Sequence, residues 1–194
     1  MRILIIAMGR SGGHSLLTWI GNEKKYETIH EPTMDDNKML SIHKTKLLKK
    51  NKSDLVVKYL INEIENELDT FDWDNWDKVI GLVRSDTMDC AISQYWASST
   101  NVWNDRYTLT DDWLIENEEN IKKEERWIRK NKELICSIPQ IELLISYENI
   151  YQSNTDIEKL TEYLEIEKIN SYYRLDNRYR LRKIKDDNLK PNLI

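Results

Sequence analysis

The chain has 194 residues, 32% of them charged, and a formal net charge of -5. That length suits one domain with a substantial core and is short for two, and the acidic balance argues against a nucleic-acid footprint, leaving a small or neutral partner as the expectation. Two cysteines, Cys90 and Cys136, with no CxxC and no adjacent histidine pair, argue against a disulfide framework and a zinc site and fit a reducing, cytoplasmic setting.

The opening apolar run, Ile3 to Met8, is followed by no cleavage-site pattern and falls far short of the ~20 residues that cross a bilayer, so it reads as a buried strand and no membrane partner is expected. Gly9, Gly12 and Gly13, three of the chain's five glycines, crowd the turn after it. Leu16, Leu17 and Ile20 then mark a helix expected to stop near Gly21, a residue free to adopt positive φ. A second strand, Glu27 to His30, runs into Glu31 and Pro32, and a helix is expected over Asp36 to Lys50 with its lysines in solvent. Leu55 to Leu60 reads as the third strand, followed by a helix marked by Ile61, Ile64, Leu68 and Phe71. Val79 to Val83 is the fourth strand, and Met88, Ala91, Ile92 and Tyr95 mark the helix after it. The seam Leu114, Ile121, Ile128 and Ile135 predicts one long covering helix. Leu143 to Tyr147 is the fifth strand, and Thr155 to Glu158 reads as a capping box opening a helix that turns Ile157, Leu160 and Leu164 inward. Strands alternating with amphipathic helices predict an α/β protein with a central parallel sheet of about five strands, and no repeat or linker divides the single domain 1–194.

A glycine turn between a buried strand and a helix start presents backbone N–H groups and the positive end of the helix dipole to an anion, and phosphate is the natural guest. The ATP/GTP loop pattern G-x-x-x-x-G-K-[ST] would fall on "MGRSGGHS", residues 8 to 15, but Met8 stands for the first Gly and His14 for the Lys. The positive charge sits earlier, on Arg10. A packing turn with an incidental arginine is the plain alternative.

The stretch "GRSGGHSLL" resembles the 5′-phosphosulfate loop of sulfotransferases that use 3′-phosphoadenosine 5′-phosphosulfate (PAPS), roughly Pro-(Arg/Lys)-Ser-Gly-Thr-(Thr/Ser) after an N-terminal strand. Arg10, Ser11 and Gly12 match; Gly9 replaces the usual Pro, and Gly13 and His14 replace hydroxyl residues. A second stretch, "KVIGLVRSDTMDCAISQYW", residues 78 to 96, resembles the family's 3′-phosphate motif, with Arg84 at a strand end and Ser93 nine residues later on a helix. Arg84 could equally pair with Asp86 or Asp89, and Ser93 could be a small helix residue. A third, residues 141 to 166, resembles the family's late Tyr-Glu-Asp-Leu strand end, with Tyr147, Glu148 and Asn149 in place, and is mainly structural there.

The resemblance implies a P-loop NTPase-like three-layer sandwich that transfers a sulfuryl group from PAPS to a hydroxyl or amine of a carbohydrate or small-molecule acceptor, releasing PAP and requiring no metal. It implies that Arg10, Ser11, Gly12, Gly13, His14 and Ser15 hold the 5′ side and Arg84 and Ser93 the 3′-phosphate. It also implies that Arg10 stabilises the leaving bridging oxygen. In "TIHEPT" it points to Glu31 as the base, with His30 and His14 as substitutes because imidazole titrates near neutral pH; a solvated strand-end Glu beside a rigid Pro, and structural histidines, are the plain alternatives. Lys58 in "DLVVKYL" resembles a strand-end lysine that supports the sulfuryl oxygens, or is a surface cap on a sheet edge. Tyr95, Trp96, Trp103, Tyr107 and Trp113 fall where the family approaches its acceptor, and core packing accounts for at least half of them. Arg174, Arg178 and Arg182 would form a basic strip if helical, and an oligomer is compatible with the short chain. A P-loop kinase or NTPase and a nucleotide-binding module without turnover stay open as alternatives.

Overall fold

The computed structural model describes residues 1–32, 54–103, 109–153 and 155–166. The helix expected over Asp36 to Lys50, Tyr107 and the basic strip of Arg174, Arg178 and Arg182 lie outside the described residues. The strands are β1 (Arg2–Ala7), β2 (Glu27–His30), β3 (Leu55–Leu60), β4 (Lys78–Val83) and β5 (Leu143–Ser146). The helices are α1 (Gly13–Lys24), α2 (Ile61–Ile64), α3 (Thr87–Thr100), α4 (Asp111–Glu116), α5 (Glu118–Ser137), α6 (Tyr147–Tyr151) and α7 (Thr155–Tyr163), with a 3-10 turn at Trp73–Asn75.

All five strands are parallel, in the order β2-β3-β1-β4-β5. The centre of such a sheet is covered on both faces, which is why β1 reads as a continuous apolar run rather than an alternating one. Ile3, Ile5 and Ala7 face one core with Leu16, Leu17 and Ile20 of α1 and Ile157 and Leu160 of α7. Leu4, Ile6 and Met8 face the other with Ile61 and Ile64, Cys90 and Ala91 of α3, and Ile121, Ile128 and Ile135 of α5. The chain leaves β1 toward β2 and β3 but leaves β4 toward β5, so the connections diverge between β1 and β4. In open α/β sheets that divergence opens a crevice at the carboxyl ends of the strands, where ligands bind. The glycine turn and Arg84 lie at its two lips.

Three local expectations need correction. α1 continues past Gly21 to Lys24, and Lys25 (φ 57) takes the left-handed position after it. Gly21 is required instead by space, because a Cβ there would run into Thr28 of β2. The long covering helix is two helices, broken at Asn117 (φ -110, ψ 7), whose side-chain amide donates to the Trp113 carbonyl at 2.8 Å while its Oδ1 accepts from Tyr95 at 3.1 Å. An Asn that bonds nearby backbone offers the chain an alternative to continuing the helix. The helix expected through Phe71 stops at Ile64, and Phe71 instead packs against the Tyr59 and Trp73 rings at 5.7 and 4.7 Å.

Candidate functional site

The turn after β1 is held from its carbonyl side. Ser11 Oγ, buried, donates to Met8 O at 2.7 Å; Cys90 Sγ donates to Gly9 O at 3.2 Å; Arg84 Nη1 donates to Arg10 O at 3.3 Å; and Tyr151 Oη donates to Gly12 O at 2.8 Å. These four bonds anchor the carbonyls of Met8, Gly9, Arg10 and Gly12. Burial pushes the Cys90 thiol up to about 11, so it stays protonated and can donate at neutral pH. Gly12 (φ 79) is the residue before α1 and provides no side-chain cap, and the first turns of helices have amides without intrahelical partners. Those amides and the helix dipole suit an anion. A Cβ on Gly12 would sit 2.5 Å from Tyr151 Cε2, so the left-handed backbone and the aromatic neighbour both demand glycine.

On the β4 side of the loop, the two arginines and Ser93 come together. Arg10 Nε donates to Ser93 Oγ at 3.0 Å across 83 residues of sequence, and its Nη1 donates to Trp103 O at 2.8 Å. Ser93 is buried on α3. Arg84 directly follows β4 and is only 8% exposed, with its guanidinium 4.5 Å from the Tyr147 ring centroid. It pairs with Asp89 and lies 3.8 Å from Glu148 Oε1. Its Nε–H has no hydrogen-bond acceptor among the described residues. A guanidinium is always charged, so a buried one must be met by anions, here the carboxylates of Asp89 and Glu148. Asp86 caps α3 by accepting from Asp89 N at 2.9 Å.

On the β3 side lies a second cluster. The register of the parallel β2–β3 pair sets His30 opposite Lys58. Lys58 is 4% exposed, which excludes the surface-cap reading, and its stem passes over Gly13, where a Cβ would meet Lys58 Cε at 2.9 Å. Lys58 Nζ pairs with Glu31 Oε1 and lies 3.2 Å from His30 Nε2. Glu31 Oε1 is 3.3 Å from His30 Nε2, and the exposed His14 stacks edge-on against His30 at 4.8 Å between centroids. Arg10 (φ 58) and Glu31 (φ 45) both hold left-handed backbone away from any helix end. Such strain, of order 1 kcal/mol or more for each residue, persists where the surroundings over-determine it, and it concentrates at functional sites.

The predicted residues thus divide into two groups joined by the loop: Arg10, Ser93 and Arg84 on one side, His14, Glu31 and Lys58 on the other, with Ser11, Gly12, Gly13 and Ser15 between. Of the aromatic set, Tyr95 and Trp96 pack on Trp113 at 5.8 and 5.3 Å, while Trp103 is exposed beside Arg10. The contributions of Glu148 and Tyr151 go beyond what their motif suggests. Glu148 accepts from Ser85 N at 2.8 Å and Asp86 N at 3.2 Å, which locks the segment carrying Arg84. The signal for Tyr151 was the i, i+4 spacing of Tyr147 and Tyr151 in "YENIY", which puts both rings on one face of α6, 4.9 Å apart.

No helix among the described residues is long and apolar enough to cross a membrane. No family model matches the sequence, and no curated protein matches it. Among solved structures, mouse sulfotransferase SULT7A1 complexed with PAP superposes with a TM-score of 0.53 at 19% identity, over 91% of this chain and 62% of that one. The YorR protein of Bacillus subtilis in complex with phosphorylated GDP matches with a TM-score of 0.42 at 11% identity, over 86% of this chain and 97% of that one. The chain therefore spans somewhat less than two thirds of the sulfotransferase, and what it shares with it is the P-loop sulfotransferase fold: a five-stranded parallel sheet flanked by helices.

Proposed function

We propose that the chain is a sulfotransferase that moves a sulfuryl group from PAPS to a hydroxyl or amine of a carbohydrate or other small acceptor, releasing PAP. The observation that carries this reading is the Arg10–Ser93 hydrogen bond beside buried Arg84, at the crevice between β1 and β4: residues from two distant motifs meet where the fold binds ligands. Buried Arg84 and the start of α1, which has no side-chain cap, offer two separate places for an anion, which suits a nucleotide bearing phosphate at both its 5′ and 3′ ends.

PAPS would supply an activated sulfuryl group on a phosphate leaving group. The chain's own residues would do the rest. Backbone amides at the start of α1 hold the 5′ side, and Arg84 with Ser93 holds the 3′-phosphate. Arg10 provides positive charge where the leaving oxygen gains negative charge. Lys58 supports the sulfuryl oxygens and orients Glu31, which takes the acceptor's proton, with His30 in contact to pass it on. SULT7A1, bound to PAP in its crystal, lends support at the level of the fold.

The test is PAP release from PAPS in the presence of a panel of sugars, phenols and amines, with and without a metal chelator. Acceptor-dependent release that survives chelation is the expected result. Absence of release with every acceptor, alongside magnesium-dependent turnover of ATP, would overturn the proposal in favour of a P-loop kinase or NTPase.

A further inference from the structure

We infer that Asp89 is an internal anion seated on Arg84 that a nucleotide 3′-phosphate must displace, so that it tunes the affinity for that group. This rests on the PAPS reading above. Two carboxylates face the Arg84 guanidinium, and they are unequal. Glu148 is fixed, because its Oε2 and Oε1 accept from the backbone amides of Ser85 and Asp86 at 2.8 and 3.2 Å, and leaving would unpair both. Asp89 is held only from one side. Its carboxylate bonds no described group except Arg84, and its side chain is 54% exposed.

The backbone of α3 does not depend on that carboxylate. The Asp89 N–H is capped by Asp86 Oδ1, and the Cys90 N–H bonds Asp86 O at 3.3 Å. Rotation about its Cα–Cβ bond can therefore carry the Asp89 carboxylate into solvent with the helix intact. What it exposes is a guanidinium nine-tenths buried, with Nη2 released and Nε 3.8 Å from Glu148 Oε1, too far for a hydrogen bond. Nε and one Nη form the edge that grips two oxygens of a phosphate at once. A half-exposed carboxylate contributes little as an ion-pair partner, whereas a phosphate dianion brings more charge and more acceptors. The exchange is therefore favourable for a nucleotide with a 3′-phosphate. A nucleotide without that group leaves the Arg84–Asp89 pair closed.

The experiment is calorimetric titration of wild type, Asp89→Asn and Asp89→Ser with PAP and with ADP at low ionic strength. Removing the competing charge predicts PAP binding about tenfold tighter in both variants and ADP binding unchanged. PAP binding that is equal or weaker in the variants, or ADP binding that tightens in parallel with PAP, would overturn the inference while leaving the nucleotide site standing. PAP failing to bind any of the three proteins would overturn the PAPS reading itself and this inference with it.

Discussion

Arg84 and Lys58 are both buried cations, one beyond β4 and the other in β3, on opposite sides of the same central strand. They are neutralised in different ways. Lys58 pairs with Glu31, whose strained backbone is bonded in turn to Lys58 through Glu31 N and Lys58 O at 2.9 Å, so cation and anion are locked by the chain as well as by charge. Arg84 has one fixed anion, Glu148, and one exposed anion, Asp89. The difference separates a flank whose ion pair is locked by the backbone from a flank with one exposed partner. Under the sulfotransferase proposal, the first would serve acceptor chemistry and the second nucleotide binding.

The strongest way to break the comparison is to damage what the flanks share. Gly12→Ala forces a Cβ into the Tyr151 ring at a left-handed position, with an expected loss of about 3 kcal/mol in denaturant unfolding and weaker nucleotide binding as the loop shifts. Unaltered unfolding and binding would mean that Tyr151 does not set the loop. Lys58→Met should act on one flank alone. It removes a buried cation from beside the part-buried Glu31 at a cost of about 2 kcal/mol, and it should abolish transfer while PAP affinity changes less than about threefold. Equal losses in binding and turnover would erase the division of labour. The smallest effect probes how tightly the Arg84 flank is closed. Cys90 lies under Gly9 with its thiol pushed up to about 11 by burial, so at pH 8 it is protonated and unreactive; the thiolate appears only as pH rises toward that value. Alkylation at pH 8 followed by intact mass should add one group, at exposed Cys136, and two after denaturation. Two additions to the folded protein would show that the loop opens readily.

The flank that carries Arg84 was legible in the sequence because its parts are local. A strand, its turn and the following helix are consecutive, so Arg10, Ser11 and Gly12, and likewise Arg84, Asp86 and Ser93, carry their spatial relation in their spacing. The other flank depends on the β2–β3 register, which brings together residues 27 apart, and no periodicity fixes that register from a single chain. Lys58 was ambiguous for the same reason: whether a strand-end lysine is solvated or buried is decided by what packs over it, here the start of α1. Gly21 was misread because a helix end and a close helix–strand approach both ask for glycine, and only the position of Thr28 distinguishes them. Tyr151 and Glu148 act on groups more than sixty residues away, so local spacing marks the helix face of Tyr151 but not what either residue touches.

The measurement that bears most directly on the central claim is calorimetric titration of wild type and Arg84→Ala with PAP, run beside ADP and beside ATP with magnesium. Tight PAP binding by the wild type, ADP at least about tenfold weaker, and a loss of about a hundredfold in the variant are predicted for a buried guanidinium that grips the 3′-phosphate. Equal affinity for PAP and ADP, an unaffected variant, or a preference for magnesium-ATP would contradict the account.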